Sequence, residues 1–320
     1  VIIRGIEEAA GRFGPCVLTI GNFDGVHAGH RRILRSVVEM ARERGWKPSA
    51  LTFHPHPACI VAPERVPPLL TTPEQRAAIM LQEGIQQVLI LPFTREISLL
   101  EPVEFAGRIL SQALDARAVL VGDNFRFGHR HAGDTQLLAK LGDRFGFIVE
   151  AIPALRLRGR VVSSSEIRRL VAVGNVSLAG RLLEAPFALQ GEVVPGLGIG
   201  SKQTVPTLNL AAQTGVLPAL GVYITRTQDL ASPRVWPSVS NVGYRPTFGG
   251  DALTVETFLL DPLDGATPPS IRVEFLLRLR PEHKFPTSGA LKAQILRDAA
   301  RARTYFRRTD SGVPRRGFLW

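Results

Sequence analysis

Two histidines three residues apart, His27 and His30, lie in the run Gly21-Asn22-Phe23-Asp24-Gly25-Val26-His27-Ala28-Gly29-His30. If a helix begins beside them, both imidazoles share one face of its first turn. From there they can donate to a polyphosphate and neutralise the charge that grows during phosphoryl transfer. A strand-to-helix junction also offers backbone N–H groups and the positive end of a helix. The glycines let that backbone approach a ligand closely. Zinc binding is the rival reading of His-x-x-His, but no Cys or carboxylate accompanies the pair at metal-ligand spacing. A structural turn with capping histidines is the third.

Further along, Ser163-Ser164-Ser165 precedes a helical pattern with Arg168 one turn in. Hydroxyls, backbone donors and a guanidinium aimed at one place suit a phosphate; an ordinary cap with a surface Arg is the plainer reading. Phe125 and Phe127 can wall an aromatic ligand or belong to the core. Asp123 suits adenosine, magnesium or a turn.

The second half carries a different set. Gly196-Leu197-Gly198-Ile199-Gly200-Ser201-Lys202-Gln203 is a glycine-rich loop of the kind that cradles phosphates. Thr207 and Asn209 follow, and in an extended segment both point to the same side. A hydroxyl and an amide oxygen are reasonable hard ligands for magnesium. Glu256 interrupts an apolar strand, which marks it as a functional carboxylate or an outward-facing charge. No Gly-x-x-x-x-Gly-Lys-Ser/Thr occurs, so this is not a P-loop kinase.

These residues need a scaffold. Strand-like runs Cys16–Ile20, Ser49–Phe53, Val88–Leu91, Ala118–Val121 and Phe147–Ile152 alternate with helical stretches near 29–44, 76–83, 103–114 and 134–144. Thr72-Pro73-Glu74-Gln75 is a helix start. That alternation predicts an open, mostly parallel α/β sheet. After the helices, strands dominate: Gln190–Val194, Gly221–Thr225, Pro237–Val242, Thr254–Leu260 and Ile271–Leu279. Gly and Pro punctuate them, predicting an antiparallel barrel or sandwich, closed by a helix near 287–307. The change of pattern places a domain boundary in 182–187. The expected domains are 1–184 and 185–308, with 309–320 a mobile tail.

Composition narrows the class. Of 320 residues, 45% are hydrophobic and 21% charged, as in globular proteins. No run of about 18 apolar residues suggests a membrane span, and the first residues do not read as a secretory leader. Cys16 and Cys59 are the only cysteines, which fits a reducing, cytoplasmic setting. The net charge of +11 permits nucleic-acid binding. However, Arg31, Arg35, Arg42, Arg76, Arg108, Arg168, Arg226 and Arg301 are scattered, and most such charges are expected on a solvated surface. We therefore expect small-molecule partners, with no nucleic acid and no membrane.

The Gly21–His30 run resembles the HxGH nucleotidyltransferases. Together with Leu51-Thr52-Phe53-His54-Pro55-His56-Pro57, Leu69-Leu70-Thr71-Thr72, Val121-Gly122-Asp123-Asn124-Phe125-Arg126-Phe127-Gly128 and Val162-Ser163-Ser164-Ser165-Glu166-Ile167-Arg168, it resembles the prokaryotic bifunctional riboflavin kinase/FMN adenylyltransferases, or FAD synthetases. The resemblance implies a Rossmann-like N-terminal domain that joins FMN to the adenylyl group of ATP. It places His27, His30 and Arg168 in catalysis. Gly21, Phe23, Asp24, Gly29, Asp123, Phe125, Phe127 and Ser163–Ser165 would bind nucleotide or flavin.

The second half is similar to the riboflavin kinase domain, an antiparallel β-barrel with a terminal helix. That similarity implies ATP and magnesium at Thr207 and Asn209, with Gly198, Gly200 and Lys202 at the phosphates and Glu256 as general base. Riboflavin, FMN and ATP would be substrates and FAD the product. The loop departs from the family's Gly-Arg-x-x-Gly-Phe: Ser201 stands for the arginine and Thr204 for the second glycine. An FMN adenylyltransferase with an inactive or regulatory kinase-like domain is therefore the alternative.

Overall fold

The structure is a computed structural model describing residues 1–157, 159–195, 207–211, 215–247 and 250–310. Gly198, Gly200, Lys202 and the tail 311–320 lie outside the described residues. The chain divides into two compact units, Val1–Ser164 and Ser165–Trp320.

The first unit is built on a six-stranded sheet of β1 (Ile2–Arg4), β2 (Cys16–Ile20), β3 (Lys47–His54), β4 (Gln87–Pro92), β5 (Ala116–Gly122) and β6 (Ile148–Ile152). Its order is β1-β4-β3-β2-β5-β6, and all its pairings are parallel. The central strands are continuous apolar runs because both faces are covered. On one face Val17, Ala50, Val88 and Leu120 pack against Leu34 and Val37 of the helix Ala28–Arg44 and Met80 of the helix Pro73–Gln82. On the other, Leu18, Leu51, Leu89 and Val119 pack against Leu110 and Leu138. Thr72 and Gln75 form a capping box at the start of Pro73–Gln82, as the Thr-Pro pair predicts.

Three features differ from the sequence reading. The edge strand β1 was not anticipated, because three residues are too few to show a period. Phe105–Ala113 is wound as a π-helix rather than an α-helix. Arg31 and Arg76, grouped with the solvated surface charges, are only 8% and 1% exposed.

A two-residue hairpin of β7 (Arg156–Leu157) and β8 (Arg160–Val161) precedes the helices Ser164–Ala172 and Val176–Leu183. The second unit then forms a closed antiparallel barrel from β9 (Phe187–Val194), β10 (Thr207–Leu210), β11 (Gly221–Asp229), β12 (Val235–Thr247), β13 (Gly250–Leu259) and β14 (Ser270–Arg280). Tyr223, Val242, Val255, Leu259, Val273 and Phe275 are buried. Beside them Thr225, Thr227, Ser238, Ser240 and Thr257 form a ladder of hydroxyl–hydroxyl hydrogen bonds of 2.8–2.9 Å. The alternate residues Val222, Ile224, Val239 and Phe258 point outward and pack on Ala299, Ala302 and Phe306 of the terminal helix Ser288–Asp310.

Candidate active sites

In the first unit, β2 and β5 are neighbours, yet the chain leaves them toward opposite edges of the sheet. Their carboxyl ends flank the switch point, where ligands of open α/β sheets bind. The Gly21–His30 run follows β2, and Gly122–Phe127 follows β5.

The loop after β2 is held from several directions. Leu70 N donates to both Asp24 carboxylate oxygens at 3.0 Å, and Thr71 N donates to Oδ1 at 3.0 Å. The Arg76 guanidinium lies 3.9 Å from the same carboxylate and donates to the carbonyls of Asn22 (2.6 Å) and Thr71 (3.2 Å). Ser164 Oγ donates to the Asp24 carbonyl at 2.8 Å. Asp24 and Ser164, both expected to contact nucleotide, are thus engaged in shaping the turn. Asp24 in particular is 1% exposed, so a solvated ligand cannot reach it without displacing Leu70 and Thr71. Phe23 and Val26 take left-handed φ of 48° and 39°, costly for a bulky and a β-branched residue, and this clamp holds them there.

His27 caps the helix: its Nδ1 accepts from His30 N at 3.2 Å. The two rings stack with centroids 3.6 Å apart and planes within 14°, and Phe23 meets His30 edge-on at 5.1 Å. A β-carbon at Gly29 would lie 3.2 Å from the His27 ring, so glycine gives the imidazole its place. His30 Nδ1 is buried and has no hydrogen-bond partner. Burial, then the neighbouring His27 and the Arg76 charge, hold the His30 imidazole well below its ordinary pKa. This neutral ring sits at a helix start beside the switch point, where the backbone N–H groups favour an anion.

The other expected residues of this half divide. Gly21 lies at the end of β2, with the Phe23 ring 3.3 Å from where its β-carbon would be. Asp123 is exposed at the end of β5 and accepts from Ala154 N at 3.1 Å. Phe125 is half-buried and stacks on Phe127 at 5.6 Å. Phe127 itself belongs to the core beside Phe105, and Phe125 packs partly buried against the same core. Ser163 is half-buried, Ser165 exposed, and Arg168 half-buried one turn into the helix Ser164–Ala172.

In the barrel, Asn209 on β10 stands opposite Glu256 on β13, and Glu256 stands opposite Asn241 on β12. Thr207 is opposite Phe258, whose ring faces the terminal helix. Directly opposed residues share a face, so Thr207, Asn209, Glu256 and Asn241 all lie on the outer side. Asn209 is buried, Glu256 half-buried and Thr207 exposed. The row continues through Val222 to Arg280, which pairs with Asp298 of the terminal helix at 2.9 Å. An amide oxygen and a hydroxyl beside a carboxylate are the hard donors magnesium takes, so the donor set fits that ion. Among the described residues no group of three or more His, Cys, Asp or Glu forms a separate metal cluster.

Sequence reasoning missed Arg76 and Asn241. Arg76 falls in the buried stripe Pro73, Ala77 and Met80, a helical periodicity that marks it as inward-facing despite its charge. Asn241 becomes visible only through cross-strand register.

A parallel sheet with a stacked histidine pair at its switch point, and a barrel with a carboxylate between two amides, are the class of fold and side chains that transferases of phosphorylated groups use. Comparison with known proteins places it further. The FAD synthetase family matches residues 11–166, and the Riboflavin kinase family matches residues 183–306. The Bifunctional riboflavin kinase/FMN adenylyltransferase of Pseudomonas fluorescens is 37% identical over 94% of this chain and 96% of its own length. That of Escherichia coli (strain K12) is 36% identical over 95% and 97%. A crystal structure described as the Macrolide-efflux Protein from Streptococcus pneumoniae superposes with a TM-score of 0.84 at 25% identity, covering 95% of this chain and 98% of that one. No helix among the described residues here is long and apolar enough to cross a membrane. The chain belongs to the bifunctional riboflavin kinase/FMN adenylyltransferase family.

Proposed function

We propose that this chain makes FAD from riboflavin in two ATP-dependent steps, with residues 185–308 as the kinase and 1–184 as the adenylyltransferase. The observation that carries this reading is the occurrence of both family regions in one chain whose relatives align with nearly all of it.

In the kinase, the Glu256 carboxylate takes the proton of the riboflavin 5′-hydroxyl as that oxygen attacks the γ-phosphate of ATP, and ADP leaves. Thr207 and Asn209 would hold magnesium, which when bound neutralises phosphate charge. Gly198, Gly200 and Lys202 are assigned to the phosphates on sequence alone. In the adenylyltransferase, the FMN phosphate attacks the α-phosphorus of ATP and pyrophosphate leaves. His27, His30 and Arg168 neutralise the charge that develops, and the helix start and Ser163–Ser165 position the nucleotide. No covalent enzyme intermediate is needed. The substrates are small molecules, and two free cysteines suit the cytoplasm.

Single substitutions should separate the halves. Glu256→Gln is expected to abolish FMN formation from riboflavin while FAD still forms from supplied FMN. His30→Ala should lower FAD formation from FMN by about 100-fold or more, the scale of losing a donor aimed at developing charge, and leave FMN formation intact. If either variant impairs both steps equally, the division of labour is wrong.

A further inference from the structure

One polar group on the kinase face has no role in the account above. Asn241 lies opposite Glu256 across the β12–β13 pair, on the side away from Asn209. Opposed residues of an antiparallel pair have β-carbons about 4.5–5.5 Å apart, so the amide is within reach of whatever meets that carboxylate. Asn241 is half-buried, and its carboxamide makes no hydrogen bond among the described residues. The amide keeps both its donor and its acceptor available to a further partner.

Gly243 is two residues along the same face, and a β-carbon there would come within 3.1 Å of Asn241 Nδ2 and 2.5 Å of Glu282 Oε1. The bare glycine therefore leaves room for the amide and for the Glu282 carboxylate beside it. On the other side Val222 and then Arg280 continue the row, and Asp298 fixes Arg280. A carboxamide both donates and accepts, as a chain of hydroxyls does.

We propose that Asn241 binds the hydroxylated side chain of the flavin substrate and so holds its terminal hydroxyl against Glu256. Nδ2 donates to one chain hydroxyl and Oδ1 accepts from another. Asn241 reads the polyol and takes no proton in the reaction. The proposal rests on the assignment of Glu256 to the kinase site.

The test compares riboflavin with a flavin whose N10 side chain is hydroxyethyl, which keeps a terminal hydroxyl and lacks the others. With the full chain, Asn241→Ala should raise the KM for riboflavin about 5- to 100-fold, the scale of two lost neutral hydrogen bonds. Asn241→Ser should lose less. The KM for ATP in the kinase reaction should not change, which reports that the barrel is folded, and neither should the conversion of FMN to FAD. With the hydroxyethyl flavin, Asn241→Ala and wild type should have equal kcat/KM. An equal loss with both acceptors, or a KM for ATP that rises in parallel, overturns the proposal. Glu256→Gln is measured alongside. If it turns riboflavin over at the wild-type rate, the base assignment falls, while the two acceptors still decide the role of Asn241.

Discussion

The imidazole of His27 lies parallel to that of His30, 3.6 Å away, and accepts the hydrogen bond of the His30 amide through Nδ1. Both rings cannot be charged at this separation. One nitrogen of His27 is committed as an acceptor, and His30 is kept neutral by burial, by His27 and by Arg76. The helix start therefore carries two stacked rings that are not both charged.

This arrangement makes stability depend on pH. His30 titrates near 6.5 when unperturbed and well below that in the fold. Above 6.5 the ring is neutral folded or unfolded, and its contribution to stability is complete. As pH falls through 6.5 toward the folded value, only the unfolded chain takes the proton, so stability is lost, by up to about 1.4 kcal/mol per pH unit. The urea midpoint should fall between pH 7 and pH 5.5, and fall less in His30→Asn. Equal falls would contradict the account.

Arg76 sits 3.9 Å from Asp24 and holds the carbonyls of Asn22 and Thr71. Arg76→Met should destabilise the first unit by about 3–5 kcal/mol, because Asp24 is left buried without its cation. Lysine should rescue poorly, since an ammonium lacks the planar fork that reaches two carbonyls. Denaturant unfolding of the three proteins checks this, and a Lys variant as stable as wild type would refute it.

The two cysteines should behave differently. Burial pushes the Cys16 thiol up to about 12, and its Sγ rests 3.5 Å from the Leu114 carbonyl. Cys59 is half-buried near the end of β3. At pH 8 a thiol reagent should modify Cys59 and spare Cys16 until the protein unfolds. Mass spectrometry of the labelled native protein reads this directly, and rapid double labelling would contradict the burial of β2.

Much of this was legible in the sequence because it rests on local rules. Cys16–Ile20 is an apolar run ended by glycine, and Ala28–Arg44 carries helical periodicity up to Gly45. The barrel strands show as runs punctuated by Gly and Pro, as in Gly221–Asp229, which begins at a glycine. What escaped depends on distant partners. Arg76 reads as a surface charge until Asp24, Asn22 and Thr71 are brought around it. Phe127 and Phe125 look alike in sequence, and only Phe105 and Gly133 show which of them is core. The placing of Asn241 next to Glu256 is a matter of register between strands, which composition does not encode.

The most direct test of the two-step reading is a chromatographic time course with the purified protein, ATP, magnesium and either riboflavin or FMN. Riboflavin should give FMN that rises and then declines as FAD accumulates, and FMN should give FAD without a lag. FAD from FMN alone, with riboflavin left unchanged, would contradict the assignment of a working kinase to the barrel. Failure to turn over either flavin would contradict both halves.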